Sequence, residues 1–198
     1  MWGGYVGMSS IGFLNFNLFD NAIIFEPNPN SFSLIEKNIK QNNFSDQITA
    51  FNVALSNKNS ELLMELSHKN FGDHRIRQEG PVQEGHYHEE VRKIISVDSV
   101  TLDDFIKKNP QINFKNISMV WMDIQGHEGK FLQGANNFLS SQKIPVVMEF
   151  WPYGILRSGT TKNDFLENLV KLFTHFYIVD NEFTELQNIL NVEKLFDE

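Results

Sequence analysis

Three short apolar segments of the sequence each end in a carboxylate, at Glu26, Asp123 and Glu149, and this repetition constrains the fold most. The segments are Ala22–Phe25, Ser118–Met122 and Pro145–Met148. Each has the length of a buried strand, and segments with helical periodicity lie between them. Strands that alternate with helices predict an α/β fold whose mostly parallel sheet is covered by helices on both faces. Ligands of such sheets bind beyond the carboxyl ends of the strands, so the three carboxylates mark a candidate site.

The segment after the first strand has the spacing of an amphipathic helix. Phe32, Ile35 and Ile39 recur at positions i, i+3 and i+7, which places them on one helical face. Ser33 and Glu36 fit the capping box that begins many helices. We therefore predict a helix that packs against the sheet and begins near this box.

The stretch from residue 57 to 98 is less regular. Glu61–Leu66 and Lys93–Val97 are predicted as strands that flank a polar, glycine-containing loop. A strand is predicted before this stretch, over Ile48–Leu55, and one helical face is predicted after it, within 131–139. We therefore expect a β excursion around residues 57–98 rather than a second domain.

Composition and charge exclude several classes of function. The 198 residues suit one domain, so we expect a single domain over residues 1–198. The absence of cysteine excludes a disulfide framework, a cysteine-bound zinc site and a thiol nucleophile, and it fits a reducing cytoplasm. A net charge of −8 repels phosphate backbones, so nucleic acid is not an expected partner. Neither an apolar run long enough for a membrane helix nor a signal peptide is found, and we expect a cytoplasmic protein.

A glycine-rich start precedes the first strand. Gly3, Gly4 and Gly7 allow the backbone to approach a ligand closely and to turn into a helix. Glu26 follows Gly7 by about 20 residues, the distance at which an acid binds ribose hydroxyls in dinucleotide-binding folds. A carboxylate suits that function because it accepts two hydrogen bonds from a vicinal diol. We predict that Glu26 binds a ribose; the alternative is a solvated glutamate at a strand end.

A series of short blocks follows one another from Gly3 to about Asp180. The blocks are Phe25-Glu26-Pro27-Asn28-Pro29, Asn38-Ile39, Asn42-Asn43, Ala54-Leu55-Ser56, Leu102-Asp103-Asp104, Asp123-Ile124-Gln125-Gly126-His127-Glu128, Gly134-Ala135 and Glu149-Phe150-Trp151-Pro152. In this order and spacing they resemble the successive blocks of the FkbM-type methyltransferases. One block alone is a weak indication, whereas the joint order is specific.

The resemblance implies a class I, Rossmann-like methyltransferase fold with S-adenosylmethionine (SAM) as methyl donor. It places two glycines beside the methionine part of SAM, an acid at the ribose, two residues at the adenine and an acid near the methyl group. The cofactor-binding positions that it implies are, in that order, Gly3 and Gly7, Glu26, Ala54 and Leu55, and Asp123.

The start of the chain departs from the pattern of the family. Met1 stands where the family has an acid, and Tyr5 stands where it has an asparagine. The strand that should precede Gly3 is absent, although in this fold it is central and its loss would expose the edges of its neighbours. We expect that the sequence lacks part of the natural N-terminus; a segment supplied by another chain or a degenerate copy are the alternatives.

Three side chains are candidates for the chemistry of methyl transfer, namely Asp123, His127 and Glu149. Methyl transfer to a hydroxyl needs in-line positioning and often a base, and the ordinary pKa of histidine suits a base. One alternative is that His127 faces solvent. Another is that Asp123 or Glu149 holds the acceptor by hydrogen bonds or shares a metal, although no metal site is assigned. Glu128 fits the first turn of the next helix, where a carboxylate suits the helix dipole.

The predicted function is O-methylation of a hydroxyl on a small molecule such as a sugar or glycan precursor, a substrate class that the resemblance alone implies. A degenerate or partner-completed module without catalysis is the first alternative, and the absent strand is its best support. A nicotinamide-dependent oxidoreductase is the second, but Gly3, Gly4 and Gly7 do not form the G-x-G-x-x-G pattern. The acceptor and the oligomeric state do not follow from the sequence.

Overall fold

The structure of the protein is a computed structural model that describes residues 6–77, 87–179 and 185–196. Strands and helices alternate along much of the chain. The described strands are β1 (Ala22–Phe25), β2 (Ile48–Phe51), β3 (Ala54–Leu55), β4 (Ser60–Leu66), β5 (Arg75–Ile76), β6 (Lys93–Val100), β7 (Val120–Met122), β8 (Val146–Met148), β9 (His175–Phe176) and β10 (Gln187–Asn188). The described helices are α1 (Met8–Asn15), α2 (Pro29–Gln41), α3 (Leu102–Lys108), α4 (Glu128–Gly134), α5 (Asn136–Gln142), α6 (Pro152–Arg157) and α7 (Lys162–Leu172). Short 3₁₀ helices lie at Glu89–Val91, Phe114–Asn116 and Ile189–Phe196.

Parallel and antiparallel strand pairs occur in different parts of the chain. β1 pairs in parallel with β2, and β7 pairs in parallel with β8. A four-stranded mixed sheet has the order β3-β6-β4-β5, in which β3 is parallel to β6 and the other pairs are antiparallel. β9 and β10 form an antiparallel pair. The predicted α/β class is confirmed, but the described sheets are mixed, because the excursion and the C-terminal pair add antiparallel strands.

Side chains of β1 alternate between two apolar clusters. Ile24 packs with Ile35 and Ile39 of α2 and with α1, whereas Phe25 belongs to the larger cluster formed by α4, α5 and α7. Successive residues of a strand point to opposite faces, so apolar packing covers both faces at this strand. Ile24 and Phe25 are 0% and 2% exposed, which explains why this run contains no polar residue.

The β excursion is built on one long antiparallel pair. β4 and β6 pair without a break from Ser60↔Ser99 to Leu66↔Lys93, which confirms the two strands predicted in this stretch. The single strand predicted over Ile48–Leu55 is instead two strands in different sheets. The strand is interrupted at Asn52, whose Nδ2 donates hydrogen bonds to the carbonyls of Glu26 (2.7 Å) and Pro27 (3.0 Å). This side chain ties the end of β2 to the end of β1.

Helix α2 begins before the predicted capping box. Asn28 is the N-cap, and its Oδ1 accepts a hydrogen bond from the amide of Asn30 at 3.0 Å. Pro29 occupies the first helical position, where its fixed φ and missing N–H carry no penalty. Ser33 and Glu36 lie inside the helix, so the capping box was wrong, because the proline already sets the start.

The helical face predicted within 131–139 belongs to two helices, since α4 ends at Gly134 and α5 begins at Asn136. The predicted apolar positions are nevertheless all buried. They are Phe131, Leu132, Ala135, Phe138 and Leu139. A side chain at position 134 would clash with the carbonyl oxygen of Ser56, so Gly134 permits this close approach to β3.

No helix within the three described ranges is long and apolar enough to cross a membrane. The sequence analysis predicts that the family's strand before Gly3 is absent. The start of the chain lies outside the described ranges, so this stays a prediction.

Candidate functional site

The carboxyl ends of several strands meet at one cleft with a cavity of about 130 Å³. Five of the predicted site residues line it, namely Glu26, Ala54, Leu55, Asp123 and His127. Gly7 is instead the N-cap of α1, with φ of +81°, and a Cβ at this position would contact the side chains of Ile11 and Ile35. Gly3 lies outside the described residues, and its predicted role stays a prediction. The cleft therefore brings together residues that are far apart in the sequence, from Glu26 to His127, as expected for the edge of an α/β sheet.

Glu26 is the first residue after β1 and is held by the turn into α2. Its side chain is 5% exposed, and its Oε1 accepts a hydrogen bond from the amide of Asn28 at 2.9 Å. Its own amide donates to the carbonyl of Phe51 at 3.0 Å, which extends the pairing of β1 and β2 to the cleft. The predicted solvated glutamate at a strand end does not describe this buried and fixed carboxyl group.

Apolar side chains from several strands line the cavity. Ala54 and Leu55 of β3 are 3% and 6% exposed. Met64 of β4 and Ile76 of β5 contribute from the excursion. An apolar slot of this kind suits a planar ring such as a purine, whose polar groups lie on its edge.

The segment from Asp123 to Gly126 makes a tight turn between β7 and α4. Gln125 has φ of +54° and Gly126 has φ of +96°, and a Cβ on Gly126 would clash with the backbone of Gly154. The turn brings Nε2 of Gln125 within 2.7 Å of Oδ1 of Asp123 and 3.1 Å of Oε2 of Glu149. Glu149 thus joins the site through an amide that donates to both carboxylates.

The Glu149 carboxyl has a raised pKa. Partial burial is the main cause, and the negative charges of Asp123 and Asp73 add to it, while Arg75 opposes them. A carboxylate with a raised pKa is a better proton acceptor than an ordinary one. Among the three candidates for the chemistry, Glu149 therefore has the surroundings that a carboxylate base needs.

His127 is sealed from solvent, which contradicts the alternative of a solvent-facing histidine. The side chain is 3% exposed, its Nε2 lies 2.9 Å from Oγ of Ser56, and its Nδ1 has no hydrogen-bond partner among the described residues. Burial, with a smaller contribution from Lys130, lowers its pKa to about 3. The ring is therefore neutral near pH 7 and a weak base, so the ordinary pKa assumed in the sequence argument does not apply. Its catalytic role stays a prediction.

Glu128 begins α4, as predicted, but it is buried rather than a surface residue at a helix start. It is 1% exposed, and its Oε1 accepts a hydrogen bond from the amide of Ile124 at 3.3 Å. Burial is the main cause that raises its pKa to about 7, and the nearby Glu149 adds to it. This carboxyl group holds the turn that carries Asp123 and Gln125.

A buried ionic network behind Glu149 was missed by the sequence analysis. Glu89 is 0% exposed, and its carboxylate accepts hydrogen bonds from Nη1 of Arg75 (2.6 Å) and Nε of Arg157 (3.0 Å). The hydroxyl of Tyr153 donates to it at 3.1 Å. Charged residues in a polar segment resemble a solvated loop, and no spacing in the sequence relates positions 75, 89 and 157.

Three aromatic rings cover this network next to Glu149. Tyr87, Trp151 and Tyr153 contact one another with centroid distances of 5.2–5.3 Å. The guanidinium of Arg75 lies 4.8 Å from the ring centroid of Tyr87 and 4.6 Å from that of Trp151. Tyr87 is 45% exposed, so the cluster presents an aromatic surface to solvent next to Glu149.

The family model of the Methyltransferase FkbM domain matches residues 7–186 of the sequence. The chain belongs to this family. The FkbM-type resemblance of the sequence blocks is thereby confirmed, and the residues with φ above zero in the turn 125–126 fall within one of those blocks. No curated protein matches the chain.

A solved relative supports the fold of this FkbM-family chain. The crystal structure of the methyltransferase FkbM from Methylobacillus flagellatus KT is similar, with a TM-score of 0.50 and 17% sequence identity. The similarity covers 83% of this chain and 35% of the solved chain. The chain thus spans about a third of the length of that protein, and the shared part is an α/β fold.

Proposed function

We propose that this FkbM-family chain is a SAM-dependent O-methyltransferase with a Rossmann-like fold that acts on a hydroxyl of a small molecule such as a sugar. The observation that carries the proposal is the buried carboxyl group of Glu26 at the end of β1, in one cleft with Ala54, Leu55 and Asp123. Family membership supports methyltransferase activity, and the parallel pairs β1–β2 and β7–β8 support the fold.

The residues of the cleft fit the parts of SAM. Glu26 offers a fixed carboxylate for the ribose diol, and the apolar walls at Ala54 and Leu55 suit the adenine ring. SAM, when bound, supplies a methyl group that is electrophilic because it is attached to a sulfonium. Asp123 and Gln125, at the other end of the same cleft, would lie beside this group.

The protein contributes position, exclusion of water and a base to the reaction. Gln125 fixes Asp123 and Glu149 relative to each other through its two hydrogen bonds. We assign proton acceptance from the acceptor hydroxyl to Glu149, because partial burial and the neighbouring charges raise its pKa. Asp123 would hold the acceptor by accepting a hydrogen bond, and the neutral His127 would support the wall through Ser56.

The aromatic cluster supports a sugar as acceptor. Tyr87 presents an exposed ring next to Trp151 and Tyr153, which follow Glu149 by two and four positions. Rings of this kind stack on the apolar face of a sugar while carboxylates accept hydrogen bonds from its hydroxyls. Glu149 connects the two kinds of group, because it precedes Trp151 and Tyr153 in the sequence and is hydrogen-bonded to Gln125, which lines the cleft.

Titration of the purified protein with S-adenosylhomocysteine (SAH), followed by calorimetry, tests the proposed cofactor. We expect wild-type protein to bind SAH and Glu26→Gln to bind it about 10- to 100-fold more weakly, because charge-assisted hydrogen bonds to the ribose are lost. Glu36→Gln, an exposed position on α2, is the matched control and should bind as the wild type does. Unchanged binding by Glu26→Gln would contradict the assignment of Glu26.

Transfer of a radioactive methyl group from SAM to a panel of monosaccharides and nucleotide sugars tests the activity. Transfer to a hydroxyl that is lost in Glu149→Gln but not in Glu167→Gln, an exposed position on α7, supports the proposal. Binding of SAH without transfer to any member of the panel would favour the non-catalytic module. Binding of NADH in place of SAH would favour the oxidoreductase.

A further inference from the structure

His74 lies in the wall that the excursion contributes to the cleft. It stands immediately before β5 and lines the cavity together with Met64 and Ile76. The ring of Phe71 packs against it edge-on, with a centroid distance of 6.3 Å and an interplanar angle of 87°. The side chain is half-buried, so one part of the ring is fixed by the protein and another part faces the cavity.

The hydrogen bonding of His74 fixes its tautomer. The amide of Ser67 donates to Nδ1 of His74 at 3.1 Å. A backbone N–H only donates, so Nδ1 carries a lone pair. Burial lowers the pKa of His74, the positive charge of Arg92 lowers it further, and Asp73 opposes this in part. The ring is therefore neutral near pH 7, and its one proton is on Nε2.

The hydrogen bond that the ring of His74 forms with a described residue is the one at Nδ1, so its Nε2–H is available to a ligand in the cleft that the ring lines. A neutral N–H group in an otherwise apolar wall recognises a ligand atom with a lone pair and disfavours a donor at the same place. Ala54 and Leu55, on another strand of the same sheet, offer side chains without hydrogen-bonding groups. Within the part of the lining formed by this sheet, His74 therefore supplies a hydrogen-bond donor.

We propose that His74 is a specificity-determining residue whose Nε2–H donates a hydrogen bond to a ring nitrogen of the bound adenosyl group. The inference rests on the proposed function. The adenosyl group is preferred over the acceptor molecule because one cavity of about 130 Å³ is lined by both Glu26 and His74. A purine ring in contact with these apolar side chains presents ring nitrogens with lone pairs along its edge.

Nitrogen-15 NMR of the histidine rings in the wild-type protein tests the tautomer directly. Comparison with the spectrum of His74→Asn identifies the His74 signals. We expect the Nε2–H tautomer of a neutral ring at pH 7 and a shift of its Nε2 and proton signals when SAH saturates the protein. An Nδ1–H tautomer, a charged ring or signals that do not respond to SAH would overturn the inference.

Two substitutions distinguish the loss of the Nε2–H donor of His74 from the loss of the hydrogen bond that its Nδ1 accepts. His74→Asn retains an acceptor near the Nδ1 position for the Ser67 amide but has no donor that reaches the Nε2 position, so SAH binding should weaken about tenfold. His74→Gln places an amide N–H near the Nε2 position and should retain most of the affinity. His175→Asn, an exposed position on β9 outside the cleft, is the control.

The results distinguish this inference from the proposed function. Binding that His74→Asn leaves unchanged, or that both His74 variants reduce equally, overturns the role of the donor, while Glu26→Gln still reports on the cofactor site. Wild-type protein that does not bind SAH overturns the proposed function and this inference with it.

Discussion

Two buried glutamates near Glu149 differ in what surrounds them. Glu89, in the excursion, and Glu128, in the turn after β7, are 0% and 1% exposed. The Glu89 carboxylate contacts the guanidinium groups of Arg75 and Arg157, whereas Glu128 contacts backbone amides, and its Oε2 has no partner among the described residues. The first carboxylate is balanced by positive charge, and the second is not.

The two glutamates stabilise two walls of the cleft in different ways. One wall is formed by the excursion and the other by the turn after β7. Beyond the β4–β6 pair, the described part of the excursion has only the short strand β5 and a 3₁₀ helix, so ion pairs among distant residues hold it against α6. The turn from Asp123 to Gly126 is held by its own backbone and by one carboxyl group that burial makes less acidic. Removal of charge should therefore damage the first wall and leave the second wall in place.

The largest effect is expected for Glu89→Ala. It removes the carboxylate partner of Arg157 and one of the two carboxylate partners of Arg75, and breaking a buried ion pair by removal of one partner costs about 3–5 kcal/mol. The free energy of unfolding in urea measures the loss. Glu90→Ala, at an exposed position next in the sequence, should change it by less than about 0.5 kcal/mol. Equal stability of the two variants would show that the network does not hold the excursion.

The sequence predicts the wall at the sheet edge better than the wall of the excursion. Glu26 and Asp123 end apolar runs, and the carboxyl ends of strands in an α/β sheet meet by topology, so their convergence follows from pattern. The partners of Glu89 depend on how a polar loop packs against α6, and hydrophobic periodicity contains no information about such packing. His74 was missed for the same reason.

Some local details at the predictable wall also required the structure. The burial of His127 and Glu128 does not follow from their position after a strand, because it depends on α6 and on the contact of Gly126 with Gly154. The prediction of His127 as a base used the pKa of an exposed histidine, whereas burial lowers it to about 3. Sequence thus predicts where a group lies along the fold more reliably than its environment.

A pH-dependent effect is expected for Glu128. Its pKa is raised from 4.5 to about 7 in the folded protein, so the folded state binds more protons than the unfolded state between these values. Stability from this group is therefore present at low pH and is lost as the pH rises from about 4.5 to 7, by on the order of 3 kcal/mol. Glu128→Gln, which resembles the protonated form, should remove this dependence.

The measurement is the difference in unfolding free energy between wild type and Glu128→Gln at several pH values. The difference is needed because His127, with its lowered pKa, contributes in the opposite direction: its stability is lost as the pH falls below about 6.5. Glu167→Gln, at an exposed position on α7, should give a flat difference. A flat difference for Glu128→Gln as well would mean that folding does not shift the pKa of this carboxyl group.

The smallest effect is expected for Asn28→Ala. Asn28 resembles Glu128 in that a buried side-chain oxygen accepts a hydrogen bond from a backbone amide. Asn28 caps α2 through the amide of Asn30 and follows Glu26 in the same turn, but its amide does not titrate. Loss of an N-cap costs about 1 kcal/mol, and this loss should be the same at pH 5 and pH 8, unlike that of Glu128. Asn30→Ala, at the exposed neighbouring position, is the control in the same unfolding measurement. A pH-dependent loss in Asn28→Ala would contradict a cap that acts through the side-chain oxygen of Asn28 alone.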